Sequence, residues 1–379
     1  MRRQALIGRS LLLILLLSLA ACQEQKEPQG KTDSNSSPTS ESQSRLVLNN
    51  ATLEQSNTKG QLLWKIQVDK ALYSPDQKKA ELNKIRGNLF QDGKIVLQVS
   101  ADKGEIYKDG ENIFLKEKII ATDPRNGAVI RSEEVEWRPQ EDVLMVRQNL
   151  RGSHAKLEAS AKEAKYYTRR QRLELIGNIV ATAKDPRLQL KTEHLFWDIP
   201  QEKVTGDRPL TMVRYQDKTI TDRASANRAE VNLKISSATI RENIEYRSVA
   251  PPLQIAGNTL TWNYKNRIVL SNQPVRLFHY QKLITITGNQ AQVDLSKEVA
   301  HLKGGVQGYS SSNQAKLYSR EMTWFIPAQK VEAVGNVIYE QAKPKLNLTG
   351  EKAVGTLQNN NVVVSGNRQD RVVTEIFPD

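Results

Sequence analysis

Residues 97–137 read LQVSADKGEIYKDGENIFLKEKIIATDPRNGAVIRSEEVEW, and residues 157–197 read LEASAKEAKYYTRRQRLELIGNIVATAKDPRLQLKTEHLFW. Laid together without a gap, they match at Leu97/Leu157, Ser100/Ser160, Ala101/Ala161, Tyr107/Tyr167 and Leu115/Leu175. They match again at Ile119/Ile179, Ala121/Ala181, Thr122/Thr182, Glu133/Glu193 and Trp137/Trp197. Ten identities in 41 positions are roughly four times the chance expectation for average composition. The chain therefore repeats itself with a period of 60. The spacing continues more loosely through Trp262 and Trp324, each with an apolar residue two positions earlier (Leu260, Met322).

Within the period, apolar and polar residues alternate, as in Leu157-Glu-Ala-Ser-Ala161, Leu253-Gln-Ile-Ala-Gly257 and Ile284-Thr-Ile-Thr-Gly288. Alternation with period two marks half-buried strands. Ala159 to Tyr167 is rich in Ala and Lys, but its repeat mate contains Gly104 and leads into Asp109-Gly110, a hairpin turn signal, so it reads as strand. The chain is predicted to be all-β, with about ten hairpin-like units of about 30 residues and about twenty strands from Gly60 to Val373. The even texture argues for one continuous body over 46–379, with a possible junction at Val249-Ala-Pro-Pro252. Because side chains alternate between faces, Leu97, Val99, Ile113, Leu115, Ile119, Leu157, Leu173, Leu175 and Ile179 are expected to share the inner face. Trp137 and Trp197 join them as core or rim residues, or as lining of an apolar groove.

The N-terminus points to export. Arg2, Arg3 and Arg9 precede an apolar run from Leu11 to Ala21, which ends directly before Cys22, the only cysteine. This is the pattern of a lipoprotein signal over 1–21 with lipidation at Cys22, and the run is short of the roughly 20 residues that span a bilayer. One cysteine leaves no disulfide framework. Gln23 to Arg45 contains no aliphatic or aromatic residue beyond proline ring carbons, so 22–45 is expected to be a flexible lipidated tether spanning roughly 25–30 Å.

The formal charge is +13, falling to about +10 without the leader arginines. Such a surplus suits an anionic partner in the envelope, and no dense basic block or aromatic-basic motif suggests nucleic acid. His154, His194, His279 and His301 are scattered and read as surface or turn residues, with no metal-ligand spacing. The carboxylates look solvated, and no nucleophile elbow or phosphate loop is present. The sequence thus predicts no cofactor, no metal and no enzyme. A polysaccharide-cleaving β-helix would need clustered chemistry at repeat positions, and Asp102/Lys162 and Glu134/His194 do not keep theirs.

One series of residues resembles a known family. It runs Trp64-Lys-Ile-Gln-Val68, Ala71, Tyr73, Asp92-Gly93-Lys94, then Ala101-Asp102-Lys103-Gly104-Glu105-Ile106-Tyr107. It continues through Leu115, Gly127, Ser132-Glu133 and Val135-Glu-Trp137. The series is similar to the LptC family of lipopolysaccharide export. Gly177-Asn178-Ile179 and Gly335-Asn336-Val337 look like the Gly-Asn-Val strand starts of LptC and LptA/OstA domains. The resemblance implies an elongated, open antiparallel β-jellyroll on the periplasmic face of a membrane, inner more than outer, held by its anchor. It further implies that acyl chains of lipopolysaccharide pass through an apolar groove, from an inner-membrane ABC transporter permease to an LptA/OstA-like β-protein joined by edge-strand addition. This chain departs from the family in offering a lipobox where a transmembrane helix is usual, and in its greater length. The alternative expectation is a structural or assembly lipoprotein of the same fold whose core is filled by its own side chains.

Overall fold

A computed structural model describes residues 45–107, 112–312, 314–342, 345–356, 361–366 and 372–376. The leader, Cys22, the tether to residue 44 and the Asp109-Gly110 turn lie outside the described residues.

The described strands follow one another in chain order, joined by turns. They are β1 (Val47–Ser56), β2 (Leu62–Tyr73), β3 (Lys79–Gln91), β4 (Lys94–Tyr107), β5 (Ile113–Thr122) and β6 (Val129–Arg138). Next come β7 (Val143–Ser153), β8 (Leu157–Tyr167), β9 (Arg172–Ala183), β10 (Leu188–Asp198), β11 (Lys203–Gly206) and β12 (Leu210–Gln216). They continue as β13 (Thr219–Ala226), β14 (Arg228–Asn232), β15 (Ser237–Ser248), β16 (Leu253–Asn263), β17 (Ile268–Ser271) and β18 (Val275–His279). The last are β19 (Ile284–Gly288), β20 (Gln290–Asp294), β21 (Val299–Ser310), β22 (Ala315–Phe325), β23 (Lys330–Gln341), β24 (Leu346–Thr356), β25 (Asn361–Ser365) and β26 (Val373–Ile376). The one helical element among the described residues is a 3-10 turn at Pro139–Glu141.

All 26 described strands belong to one antiparallel sheet in which each pass pairs with the next. Five passes are broken in the middle: β11/β12, β13/β14, β17/β18, β19/β20 and β25/β26. Counting each as one pass, the sheet has close to the twenty strands read from the sequence. The 60-residue period is four passes. Trp137, Trp197, Trp262 and Trp324 each stand one residue before the end of their strand, on β6, β10, β16 and β22. Val249–Pro252 is the turn between β15 and β16, whose register resumes at Ser248↔Leu253.

A flat meander would expose both faces; corners fold this one into a jellyroll. Near the middle of many passes the register slips, and on alternate passes a left-handed pair makes the bend. The pairs include Glu117-Lys118, Gln148-Asn149, Gly177-Asn178, Glu242-Asn243, Gly304-Gly305 and Gly335-Asn336. The Gly-Asn dipeptides are therefore corners inside continuous strands, not strand starts. Glycine adopts that backbone freely, and at Gly335 (φ 86°) a Cβ would also lie 2.6 Å from Arg320 Nε. Left-handed Glu, Lys or Gln costs about 1–2 kcal/mol each, and neighbours offset it. Glu133 accepts from the Lys118 amide at 3.2 Å, and Glu193 from the Asn178 amide at 3.0 Å. Ser132 Oγ lies 2.5 Å from the Arg147 carbonyl oxygen and 2.9 Å from that of Gln148. The repeat identity Glu133/Glu193 is thus a corner brace.

The two half-sheets enclose one apolar core running from Leu63 to Val331. The corner preserves the alternation: on β5, Ile113 and Leu115 point inward, residues 116–118 lie outside, and Ile119 and Ala121 point inward again.

Candidate functional site

Leu97, Val99, Ile113, Leu115, Ile119, Leu157, Leu173, Leu175, Ile179, Trp137 and Trp197 are all buried in this single core, none more than 5 % exposed. Lys116 is exposed and Ile176 half-buried on the opposite face. The eleven residues are brought together along the interior, where they are part of one packed core. Leu115 and Leu175, for example, pack among Val135 and Leu195, their register partners on the next strands. Trp137, Trp262 and Trp324 have buried indole N–H groups with no protein acceptor.

Open space lies further along. A small apolar cavity of about 70 Å3, partly open to solvent, is lined by Ile284, Ile286, Leu317, Met322, Val331, Tyr339, Ala353 and Val362. Small residues make room for it: Gly308 stands where Tyr246 does one period earlier, Ala315 where Leu253 does, and Gly355 where Val293 does. Gly308, Ala315 and Gly355 border it, and Met322 is the long side chain that reaches Gly308. The core thins there into a small separate cluster of Ala333, Val337 and Ala353. None of the eleven expected groove residues lines this cavity. The alternation at Ile284-Thr-Ile-Thr-Gly288 was the sequence signal for its near wall; its far wall carried none.

The hairpin turns alternate between two rims, and polar clasps join the rims over much of the length. Asp123, on one rim, accepts from Tyr166 Oη at 2.6 Å and pairs with Arg125, whose Nη2 donates to the Thr168 carbonyl at 2.8 Å. Lys156 reaches Glu202 at 2.6 Å. A third clasp centres on Asp222, which accepts from Tyr246 Oη at 2.5 Å and faces Arg214 at 3.5 Å and Arg267 at 3.7 Å. Arg214 donates to the Tyr264 carbonyl, and Arg267 to that of Ala250. Burial alone would raise the Asp123 pKa, but Arg125 and Tyr166 outweigh it and hold the carboxyl below its usual range. Burial pushes the Tyr246 hydroxyl well up, so it remains a donor. These clasps all lie N-terminal to residue 268, whereas the cavity lies beyond it.

Two readings of the titratable residues are corrected. Asp123, Asp222 and Glu136 are buried, not solvated, because each has a cation beside it. His279 is buried too: it follows Val275 and Leu277 on the inward face and lies 5.6 Å from the Trp324 ring. His194 stands half-buried between Asp207 (2.7 Å) and Glu174 (3.1 Å). Its burial lowers the imidazole pKa, and the two carboxylates more than reverse this.

The fold and interior define the class: an antiparallel β-jellyroll around one apolar core, clasped along much of its seam, with a small cavity at its C-terminal passes. The chain belongs to the lipopolysaccharide-assembly, LptC-related family, whose sequence model matches residues 10–151, 142–214 and 210–311. That family supplies an envelope component of lipopolysaccharide transport. No curated protein sequence matches the chain. No helix among the described residues is long and apolar enough to cross a membrane.

Proposed function

We propose that this chain shelters the acyl chains of lipopolysaccharide in the lumen of its jellyroll and hands them from an inner-membrane ABC transporter permease towards the outer membrane. The observation that carries this reading is the apolar cavity continuous with the core, in a chain of a lipopolysaccharide-transport family. Each methylene kept from water is worth about 0.8 kcal/mol, so an acyl chain favours such a lining strongly. Strand edges suit the hand-over. β1 pairs with β2 alone and β25 with β24 alone among the described strands, which leaves backbone groups for an LptA/OstA-like partner strand.

Photocrosslinking in living cells tests the reading. A photoreactive residue at Ile286 or Leu317 should label lipopolysaccharide, and one at Thr287 or Tyr318, on the other face, several-fold less. Labelling at Leu115 and Leu175 above that at Lys116 and Ile176 would mean that the packed passes open to admit lipid. A folded protein that labels at none of these interior positions is a structural lipoprotein with a filled core, and the conduit reading fails.

The anchor is part of the proposal. Cys22 is read as the acylated residue, with residues 22–45 as a tether on the periplasmic side, more fittingly at the inner membrane. Cys22→Ser should leave an unprocessed, unlipidated precursor. A variant that matured and still partitioned with lipid would remove this element.

A further inference from the structure

Arg131 on β6 and Arg151 on β7 are direct register partners, and both are exposed. Opposed residues of an antiparallel pair have Cβ atoms about 4.5–5.5 Å apart, and like charges so placed destabilise the sheet. Among the described residues neither arginine has an ion pair or a side-chain hydrogen bond. Following the register sideways from Arg86 to Lys191 gives an unbroken row across eight strands, β3 to β10, with four cations and no carboxylate. At about 4.8 Å per strand the row is roughly 34 Å long.

The outer face of the other half-sheet is different. There Lys116 pairs with Glu105 at 2.8 Å, Arg138 with Glu136 at 2.6 Å and Arg147 with Glu134 at 3.1 Å. In the row beyond the corner, by contrast, Arg86, Arg131, Arg151 and Lys191 have no ion pair among the described residues. The wall that carries this row is also concave. Arg131 and Arg151 share a shallow, solvent-open depression of about 580 Å3 with Ser160 and Thr182, and the carboxylate in it, Glu158, is drawn off by Lys184 at 3.2 Å.

We infer that this wall binds phosphate groups carried on a saccharide, with Arg131 and Arg151 as the central pair. Two guanidinium forks side by side can each present parallel N–H donors to phosphate oxygens. The hydroxyls of Ser160 and Thr182 match sugar hydroxyls, and a concave wall fits a chain-like headgroup better than a flat bilayer. The inference deepens the conduit reading by assigning a place to the anionic head while the acyl chains are inside. Its test uses no acyl chain, so the two can fail separately.

The probe is the lipid-free phosphorylated core oligosaccharide of lipopolysaccharide, titrated into the full chain. The wild type should bind it with an affinity that falls steeply with salt, and dephosphorylation should abolish most of the binding. Arg131→Gln with Arg151→Gln should weaken it at least tenfold, whereas Lys116→Gln on the other wall should not. The double variant should melt at the same temperature as the wild type or higher, since a like-charge contact is relieved. Unchanged affinity in the double variant, or equal binding of the dephosphorylated sugar, overturns the assignment. So does binding to phosphatidylglycerol vesicles with none to the saccharide, which would make the wall a membrane-facing surface.

Discussion

Leu175→Asp is expected to cost more than the 2–5 kcal/mol typical of a Leu→Ala truncation, and Ile176→Asp next to it less than about 1 kcal/mol. Leu175 is buried among Ala164 and Leu195 on the neighbouring strands and has no polar atom to receive a carboxylate. A buried, unpartnered acid must either keep its charge at high cost or take up a proton and still leave its oxygens unsatisfied. Ile176 points the other way, opposite Glu163 and His194, at the wet surface. Because each pass contacts chiefly its neighbours, the damage should be local. Hydrogen exchange should show lost protection in β8 to β10 and retained protection in β20 to β23. Equal effects at 175 and 176 would mean that the inward register is misplaced.

Asp222→Ala should destabilise by about 3–5 kcal/mol, because it leaves Arg214 and Arg267 facing each other without a counter-charge. Their side chains are only 11 % and 20 % exposed, so water can replace the carboxylate only in part. Arg169→Gln makes the contrast. Arg169 also spans two turns, to Asp92 and Asp142, but it is more than half exposed, and its loss should cost under about 1 kcal/mol. The same Asp222 variant should make the Val249–Pro252 turn sensitive to protease, since Arg267 holds the Ala250 carbonyl from the opposite rim. A denaturation midpoint within about 0.5 kcal/mol of the wild type would show that the clasp does not hold the seam.

The strands and their inward face were legible because alternation is a local property, and the repeat carried it from Leu97 to Trp197 and on to Trp324. The corners were not. Glu117-Lys118 and Gln148-Asn149 have no glycine to announce a left-handed bend, and what stabilises them comes from another strand, such as Glu133 or Ser132. Gly177-Asn178 was visible as a motif, but its place in mid-strand depends on pairing with β10. The clasps were hidden for the same reason. Asp123 sits in an Asp-Pro-Arg-Asn-Gly turn that reads as solvated, and only the fold brings Tyr166 to it, 43 positions away. Among site residues, the interior face could be read and the unfilled part of the interior could not. Small residues at 308, 315 and 355 create space only when three passes are stacked in register.

The repeating corner also determines how such a chain can change size. An insertion of one or three residues within a pass would carry the left-handed pair away from its brace and turn the inner face outward beyond it. Adding or removing four whole passes leaves every brace, tryptophan and rim where it was. Length is therefore quantised, in increments of about 60 residues and, at about 4.8 Å per strand, roughly 19 Å of sheet. Evolution of such a chain can adjust its reach across a gap by duplicating modules, with no redesign of the joints between them.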